Sequence, residues 1–410
     1  MLQKRGYTAF VLLCIVALAS CARRSDDVPP ARSSATFGFD GSHHLPPTGQ
    51  PTTATTLSLP APYAPTSAPL ALNTNDTEIF AIAQDRIIVI GSQKSARILA
   101  RSTDSTAITE LLCDTANIYA IHLNGTIERF APDGSVVWHT SVHSMPHLGA
   151  VIHSGSIVVS NDSEIVACGV ANGSQKWKYH SALVPVSLAI EPKTGTLYAA
   201  LSANDPSSTD SILSFDAAGT VTARSGFART RITSNLSLCG TNGILFGSLS
   251  PSDDKSESRV AHLTFWTGIG SAAKQSWMHT LPYIVSAVAN DGETVVASGF
   301  RETAGDLVSG VDAFRTSDST TLWQRRFSYP AVTPVSLARG FAYIPFTFTT
   351  KATVPTKTIL VTLDLGDGKT ASELGVPNAE TGFVQGVGAP IGGMLAYADR
   401  TAARIYFLKP

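Results

Sequence analysis

Charge is scarce in this sequence. Only 15% of its 410 residues are Asp, Glu, Lys or Arg, where a typical soluble domain carries roughly 25%. Acidic or basic disordered proteins, coiled coils and charge-rich helical bundles all need more. Neither sign is in excess, with 30 Lys and Arg against 31 Asp and Glu. Nucleic-acid binders usually carry a strong basic surplus, so no nucleic-acid partner is expected. Five cysteines are too few for a disulfide-dense scaffold. No stretch holds a 3.6-residue apolar period for three turns, which removes the helical classes. In place of charge stand Ser, Thr, Gly and Ala, while hydrophobic residues make up an ordinary 43% and mean hydropathy is +0.12. That balance predicts a β-rich chain with many turns.

The amino terminus reads as an address. Lys4 and Arg5 precede an apolar run from Tyr7 to Ser20, shorter than the roughly 20 residues that span a bilayer. The run is therefore a signal-peptide core. It ends Leu18-Ala19-Ser20-Cys21, which resembles the bacterial lipoprotein signal. That resemblance implies cleavage before Cys21 and lipidation of its thiol and new amine, with several acyl chains giving stable membrane attachment. Ala22 rather than Asp follows, and in Gram-negative lipoproteins this implies the periplasmic face of the outer membrane. Nine of the 23 prolines then fall between residues 22 and 70 among Thr, Ser and Ala. Such a segment buries too little apolar surface to order itself. The chain accordingly divides into a signal peptide (1–20), a lipidated Cys and tether (21–76) and a folded body (77–410). His43-His44 lies in the tether and reads as a solvated pair.

The body repeats. Turn dipeptides recur at Asn124-Gly125, Asp133-Gly134, Asn172-Gly173, Asn242-Gly243 and Asp291-Gly292, between short β-branched runs. Ala167 to Trp177 (ACGVANGSQKW) aligns with Ala313 to Trp323, each with a small residue six positions on and Trp four later. Thr362 to Ser372 keeps the spacing without the Trp. Two copies, Arg129 to Trp138 and Ser214 to Ala223, are one residue shorter before the turn, and a looser one ends at Trp277. Positions 138, 177, 223, 277, 323 and 372 are thus separated by about the length of a four-stranded propeller blade. A strand with small or aromatic residues precedes most copies, as at Asn117–Ala120, Ser156–Val159, Thr196–Ala199, Thr294–Ala297 and Phe341–Ile344, and is expected to be the inner strand, whose small residues fit the crowded axis. The third strand would turn at Gly, and the outer strand would carry a Trp packed between blades. Trp138, Trp177, Trp277 and Trp323 are these structural residues.

This pattern resembles the pyrroloquinoline-quinone-type β-propeller repeat from about Thr77 to Pro410. The resemblance implies an all-β propeller of four-stranded blades. Inner strands are expected near Ile79, Ile108, Leu148, Val186, Leu236, Val285, Val335 and Val387, which favours eight blades, with seven as the alternative. The last segment ends too early to finish a blade, so an N-terminal strand is expected to close the ring.

Signs of chemistry are few. Quinone enzymes of this repeat class hold their cofactor between a vicinal disulfide and a Trp, beside Ca²⁺. Here no two cysteines are adjacent, and no acidic cluster marks the inner strands, so no cofactor is expected. Cys113, Cys168 and Cys239 are expected to be buried free thiols. There is no Gly-x-Ser-x-Gly elbow. Gly366-Asp-Gly-Lys-Thr370 looks like the tail of a phosphate loop, but Leu363 stands where its first Gly belongs, and a hairpin turn is expected. His143, His147 and His153 flank Pro146 and read as loop histidines, not as a metal site. Phe341–Phe348 and Phe327 to Pro330 are dense in aromatics, expected in the core and, on a loop, a docking patch.

A lipid-anchored propeller without a catalytic constellation resembles the BamB family, the lipoprotein scaffolds of the outer-membrane β-barrel assembly machine. The expected function is a noncatalytic envelope scaffold that binds other proteins. The alternative is a ligand sensor or enzyme with its site in the central channel.

Overall fold

A computed structural model describes residues between 53 and 409, apart from several connecting segments. Residues 1–52, with Cys21 and His43-His44, lie outside the described residues, as do His143 and His147.

Among the described residues the strands form eight antiparallel sheets, seven of them wound outward in sequence order. Blade 1 comprises Leu72–Thr74, Ile79–Ala83, Arg86–Ile90 and Ala96–Arg101. Blade 2 is Ile108–Cys113, Ile118–His122, Thr126–Phe130 and Val136–Ser141. Blade 3 is Leu148–His153, Ser156–Ser160, Glu164–Gly169 and Gln175–His180. Blade 4 is Val184–Ile190, Leu197–Ser202, Thr209–Phe215 and Val221–Ala228. In blade 5 the inner edge is split into Arg231–Ile232 and Ser237–Cys239, followed by Gly243–Pro251, Arg259–Thr267 and Lys274–Leu281. Blade 6 is Ile284–Asn290, Thr294–Thr303, Asp306–Arg315 and Thr321–Phe327. Blade 7 is Ser336–Ala338, Phe341–Phe348, Lys357–Asp364 and Thr370–Val376. Blade 8 takes Val384–Gly388, Leu395–Asp399 and Arg404–Lys409 from the carboxyl end and its outer strand, Thr53–Ser58, from the amino end. The molecule is an eight-bladed β-propeller. Among the described residues its one helical element is a 3₁₀ turn at Gly270–Ala272.

The closing strand was expected, but its position corrects the domain boundary. Thr53–Ser58 pairs from Thr53↔Lys409 to Ser58↔Arg404, and Leu72–Thr74 pairs with Ile79–Ala81 as the inner edge of blade 1. Both lie within the residues read as tether, so the folded body includes strands ahead of residue 77. A second correction concerns strand rank. Ile79 opens the second strand of blade 1, and the strands with small or aromatic residues (Ile118–His122, Ser156–Ser160, Leu197–Ser202, Thr294–Thr303, Phe341–Phe348) are second in their blades. Ile118–His122, Ser156–Ser160 and Leu197–Ser202 are buried at every position, because a second strand is covered on both faces by neighbouring blades. Side chains alternate across a strand, so Ile118 and Ala120 face blade 1 while Tyr119 and Ile121 face blade 3.

The core therefore lies between the sheets. One apolar seam separates each pair of successive blades from 1 to 7. Outer strands bury one face only, with alternating exposure at Val136–Ser141. The aromatic second strand of blade 7 is core, with Tyr343, Ile344 and Phe346 fully buried and Phe327 packed on Phe346 at 4.4 Å. Tyr329 and Pro330 lie outside the described residues.

Candidate functional site

The outer strand positions aligned by sequence share one structural register. Trp138, Trp177, Ala223, Trp277, Trp323 and Ser372 each pair with the last third-strand residue before a bulge: Arg129, Ala167, Ser214, Phe265, Ala313 and Thr362. The bulge kinks the outer strand and turns this side chain toward the next blade. Trp138, Trp177 and Trp323 then lie on Gly173, Gly219 and Gly368 of the following turn, where a Cβ would approach the ring within 2.6, 2.3 and 2.6 Å. These glycines have φ of +70°, +80° and +68°, so both the turn and the ring demand Gly. Trp277 faces the turn that ends at Ser319, whose φ is +61°. Three indoles also donate across the seam: Trp138 Nε1 to Val170 O at 3.1 Å, Trp277 to Thr316 O at 3.0 Å and Trp323 to Leu365 O at 2.8 Å. Gly366 to Thr370 belongs to the hairpin turn that receives Trp323, with Gly368 N–H donating to Asp364 O.

Between blades 1 and 7, two seams lack the Trp. Gly134 of blade 2 meets Leu99 and Ala100 of blade 1, and Gly270 of blade 5 meets Ala223. Each has a buried acid instead. Beside the first, Glu128 and His122 are both 0% exposed and joined Oε2 to Nε2 at 3.0 Å. They meet diagonally because the Asn124-Gly125 hairpin sets Ile121 opposite Ile127. Thr103 N–H and Oγ1–H donate to Glu128 Oε1, and His122 Nδ1 donates to Thr106 O at 3.0 Å. The pair thus pins the crossover from blade 1 to blade 2. Burial pushes the Glu128 carboxyl up, but hydrogen bonds from His122, Ser102 and Thr103 outweigh it and hold the group at about 2. Beside the second, Asp210 accepts Ala203 N–H at 2.8 Å and Ile232 N–H at 2.6 Å. Its burial raises the carboxyl against these bonds.

The Ser102, His122 and Glu128 grouping was not legible as a site in sequence. It is not a nucleophilic triad. Ser102 Oγ and Glu128 both approach Nε2, at 3.3 and 3.0 Å, whereas a relay needs the nucleophile and the acid on opposite ring nitrogens. In blade 6, Asp312 stands opposite Ala297 as Glu128 stands opposite Ala120. It is 0% exposed and holds Arg326, which lies over the Tyr283 ring at 5.5 Å.

Around the axis, inner strands are tied to one another through side chains. Glu110 accepts Ala150 N–H at 3.0 Å, and Ser187 Oγ accepts Leu236 N–H at 3.0 Å. Asn235 accepts Val288 N–H at 3.1 Å and donates to Val288 O at 3.0 Å. Asn290 donates to Ser237 Oγ and Leu238 O at 2.8 Å. These bonds join blades 2 to 3, 4 to 5 and 5 to 6. The three body cysteines are free, with Cys168 buried and Cys113 and Cys239 half-buried. They sit in blades 2, 3 and 5, so no pair of them can hold a quinone as a vicinal disulfide would. Burial raises the Cys168 thiol to about 11, which keeps it protonated and unreactive. Among the described residues no three His, Cys, Asp or Glu side chains gather as a metal site.

No protein-family model matches the chain, and no curated protein matches it. Solved structures do. BamB from Moraxella catarrhalis aligns over 88% of this chain and 98% of its own, with a TM-score of 0.58 and 13% identity. Quinohemoprotein alcohol dehydrogenase from Comamonas testosteroni aligns over 90% and 77%, with a TM-score of 0.63 and 9% identity. A chain of the mitotic checkpoint complex aligns over 89% and 96%, with a TM-score of 0.53 and 11% identity. At these identities the likeness is one of fold, that of a β-propeller with the quinone-type repeat.

Proposed function

We propose that the chain is a noncatalytic, membrane-anchored envelope scaffold that binds other proteins through its propeller. The observation that carries this reading is the use of inner-strand polar groups. Glu110, Ser187, Asn235 and Asn290 spend hydrogen bonds on neighbouring blades, the arrangement of a stiff frame. The likeness in fold to BamB, over nearly all of that chain, supports the same reading and a place in outer-membrane protein assembly. The anchor is Cys21, with the periplasmic face of the outer membrane as its destination. The closing strand begins at Thr53 opposite Lys409, at the edge where other blades carry the third-to-outer turns. The tether therefore joins the ring on that face, and the crossover face lies opposite.

Two measurements test this. Wild-type protein should fractionate with membranes and Cys21→Ala should not; equal partition of the two would remove the anchor. Crosslinking in intact cells should recover envelope proteins with the wild type. Recovery no greater than from a propeller-free control would count against the scaffold.

The fold of the dehydrogenase neighbour motivates the second reading, a channel-site enzyme or sensor. The free, separated cysteines do not fit the quinone holder of that repeat class. Saturable binding of quinone with added Ca²⁺, followed by absorbance, would favour this second reading over the scaffold.

A further inference from the structure

The seam between blades 3 and 4 leaves three polar atoms of blade 3 shielded from solvent and without a protein partner: His153 Nε2, Ser156 Oγ and Trp177 Nε1. All three belong to one face. His153 and Ser156 are register partners, and each is two residues from an apolar neighbour, Val151 or Val158. Those valines pack with Trp177 against Leu188, Leu197 and Leu213 of blade 4, so alternation turns His153 and Ser156 the same way. The residues are 3% and 1% exposed.

Two of them, His153 and Trp177, meet a single turn of blade 4, and Ser156 stands beside His153 in register. Gly219 N–H donates to Asp216 O at 3.1 Å and closes that turn. His153 hydrogen-bonds the Asp216 backbone, and the Trp177 ring lies on Gly219. This turn has one residue fewer than those that receive an indole N–H. There the closing bond spans four residues, Gly173 to Gly169, Ser319 to Arg315 and Gly368 to Asp364. The residue after the first, Val170, Thr316 or Leu365, then offers its carbonyl to the Trp. In blade 4 the bond spans three, and that extra carbonyl is missing.

The orphaned atoms define the guest that completes them. An indole N–H only donates, and a hydroxyl does both. Burial disfavours the His153 imidazolium, and a neutral ring offers a lone pair on the nitrogen that carries no proton. A cation would face the indole N–H, and an anion would face the imidazole lone pair. A neutral molecule that donates and accepts satisfies all three, and two to four such partners are what a buried water takes. We propose that the blade 3–4 seam is a binding site for one ordered water, which bridges Trp177, His153 and Ser156 in place of the carbonyl the short turn cannot supply.

The test uses the full chain with ¹⁵N-labelled tryptophan and measures cross-relaxation from water to each indole N–H. Trp177 should show a long-lived water contact, while Trp138, Trp277 and Trp323, bonded to carbonyls, should show none. Ser156→Ala should shift the Trp177 resonance and leave that of Trp138 in place. A Trp177 signal without a water contact would overturn the proposal, as would water contacts at Trp138, Trp277 and Trp323 equal to that at Trp177. A Trp177 resonance unmoved by Ser156→Ala would remove the three-way bridge. Should that variant fail to fold, the wild-type water contacts decide alone.

Discussion

The seams on either side of blade 3 look alike in sequence and differ in construction. Between blades 2 and 3, Trp138 lies on Gly173 and its N–H reaches Val170 O. Between blades 3 and 4, Trp177 lies on Gly219 with equal intimacy, and its N–H reaches no protein acceptor. Both rings bury apolar area, so both seams gain the nonspecific part of the contact. They differ by one residue in the receiving turn. Apolar packing tolerates that deletion because it is nondirectional, whereas a hydrogen bond is lost with a misplaced acceptor.

The largest effect comes from removing a complete contact. Trp323 is 7% exposed and bonded to Leu365 O, so Trp323→Ala should cost about 3–5 kcal/mol in denaturant unfolding. A loss of under about 1 kcal/mol would show that the seams do not depend on their indoles.

A seam without Trp should respond to pH instead. Glu128 is held at about 2 against an ordinary 4.5. Its contribution is fully present above pH 4.5 and is lost as pH falls toward 2. By linkage it amounts to on the order of 3 kcal/mol. Glu128→Gln should flatten the acid limb of the stability profile over that window, and Trp177→Phe should leave the limb unchanged. An acid limb identical in wild type and Glu128→Gln would sink the clamp.

The glycines separate turn strain from docking. A Cβ at Gly368 would sit 2.6 Å from the Trp323 ring, while one at Gly292 would meet nothing within 4 Å, and both residues have positive φ. Gly292→Ala should therefore lose about 1 kcal/mol from backbone strain alone. Gly368→Ala should lose about 1–3 kcal/mol more from overpacking. Equal losses in thermal or denaturant unfolding would mean that the ring moves aside freely.

Much of this was legible in the sequence, because the repeat is local. The spacing that aligned residues 138, 177, 223, 277, 323 and 372 also set their shared register, and the missing residue before Gly219 could be read directly. The first blade was less legible. Its Trp position holds Ala100, beside a bulge that sets Ile87 opposite Ala100 and Ile88 opposite Ile98, so no aromatic marks the copy. The closing strand TATTLS has Thr and Ser where a buried strand has Val and Ile. An outer strand covers one face only, so its sequence approaches that of a linker. The His122 and Glu128 pair had one available sign, two ionisable residues in apolar strands flanking Asn124-Gly125. Hairpin register was needed to bring them together.

The smallest effect bears most directly on the two kinds of seam. Trp277→Phe keeps most of the ring and removes the N–H that serves Thr316 O. It should cost about 1–2 kcal/mol for the stranded carbonyl. Trp177→Phe removes an N–H with no protein acceptor, so no carbonyl is stranded and it should cost about 1 kcal/mol less than Trp277→Phe. The two changes delete the same atoms, so differences in transfer free energy cancel, and denaturant midpoints at constant m compare them directly. If Trp177→Phe cost as much as Trp277→Phe, its N–H would have to be bonded to blade 4 after all. The one-residue difference between the turns would then carry no energetic consequence.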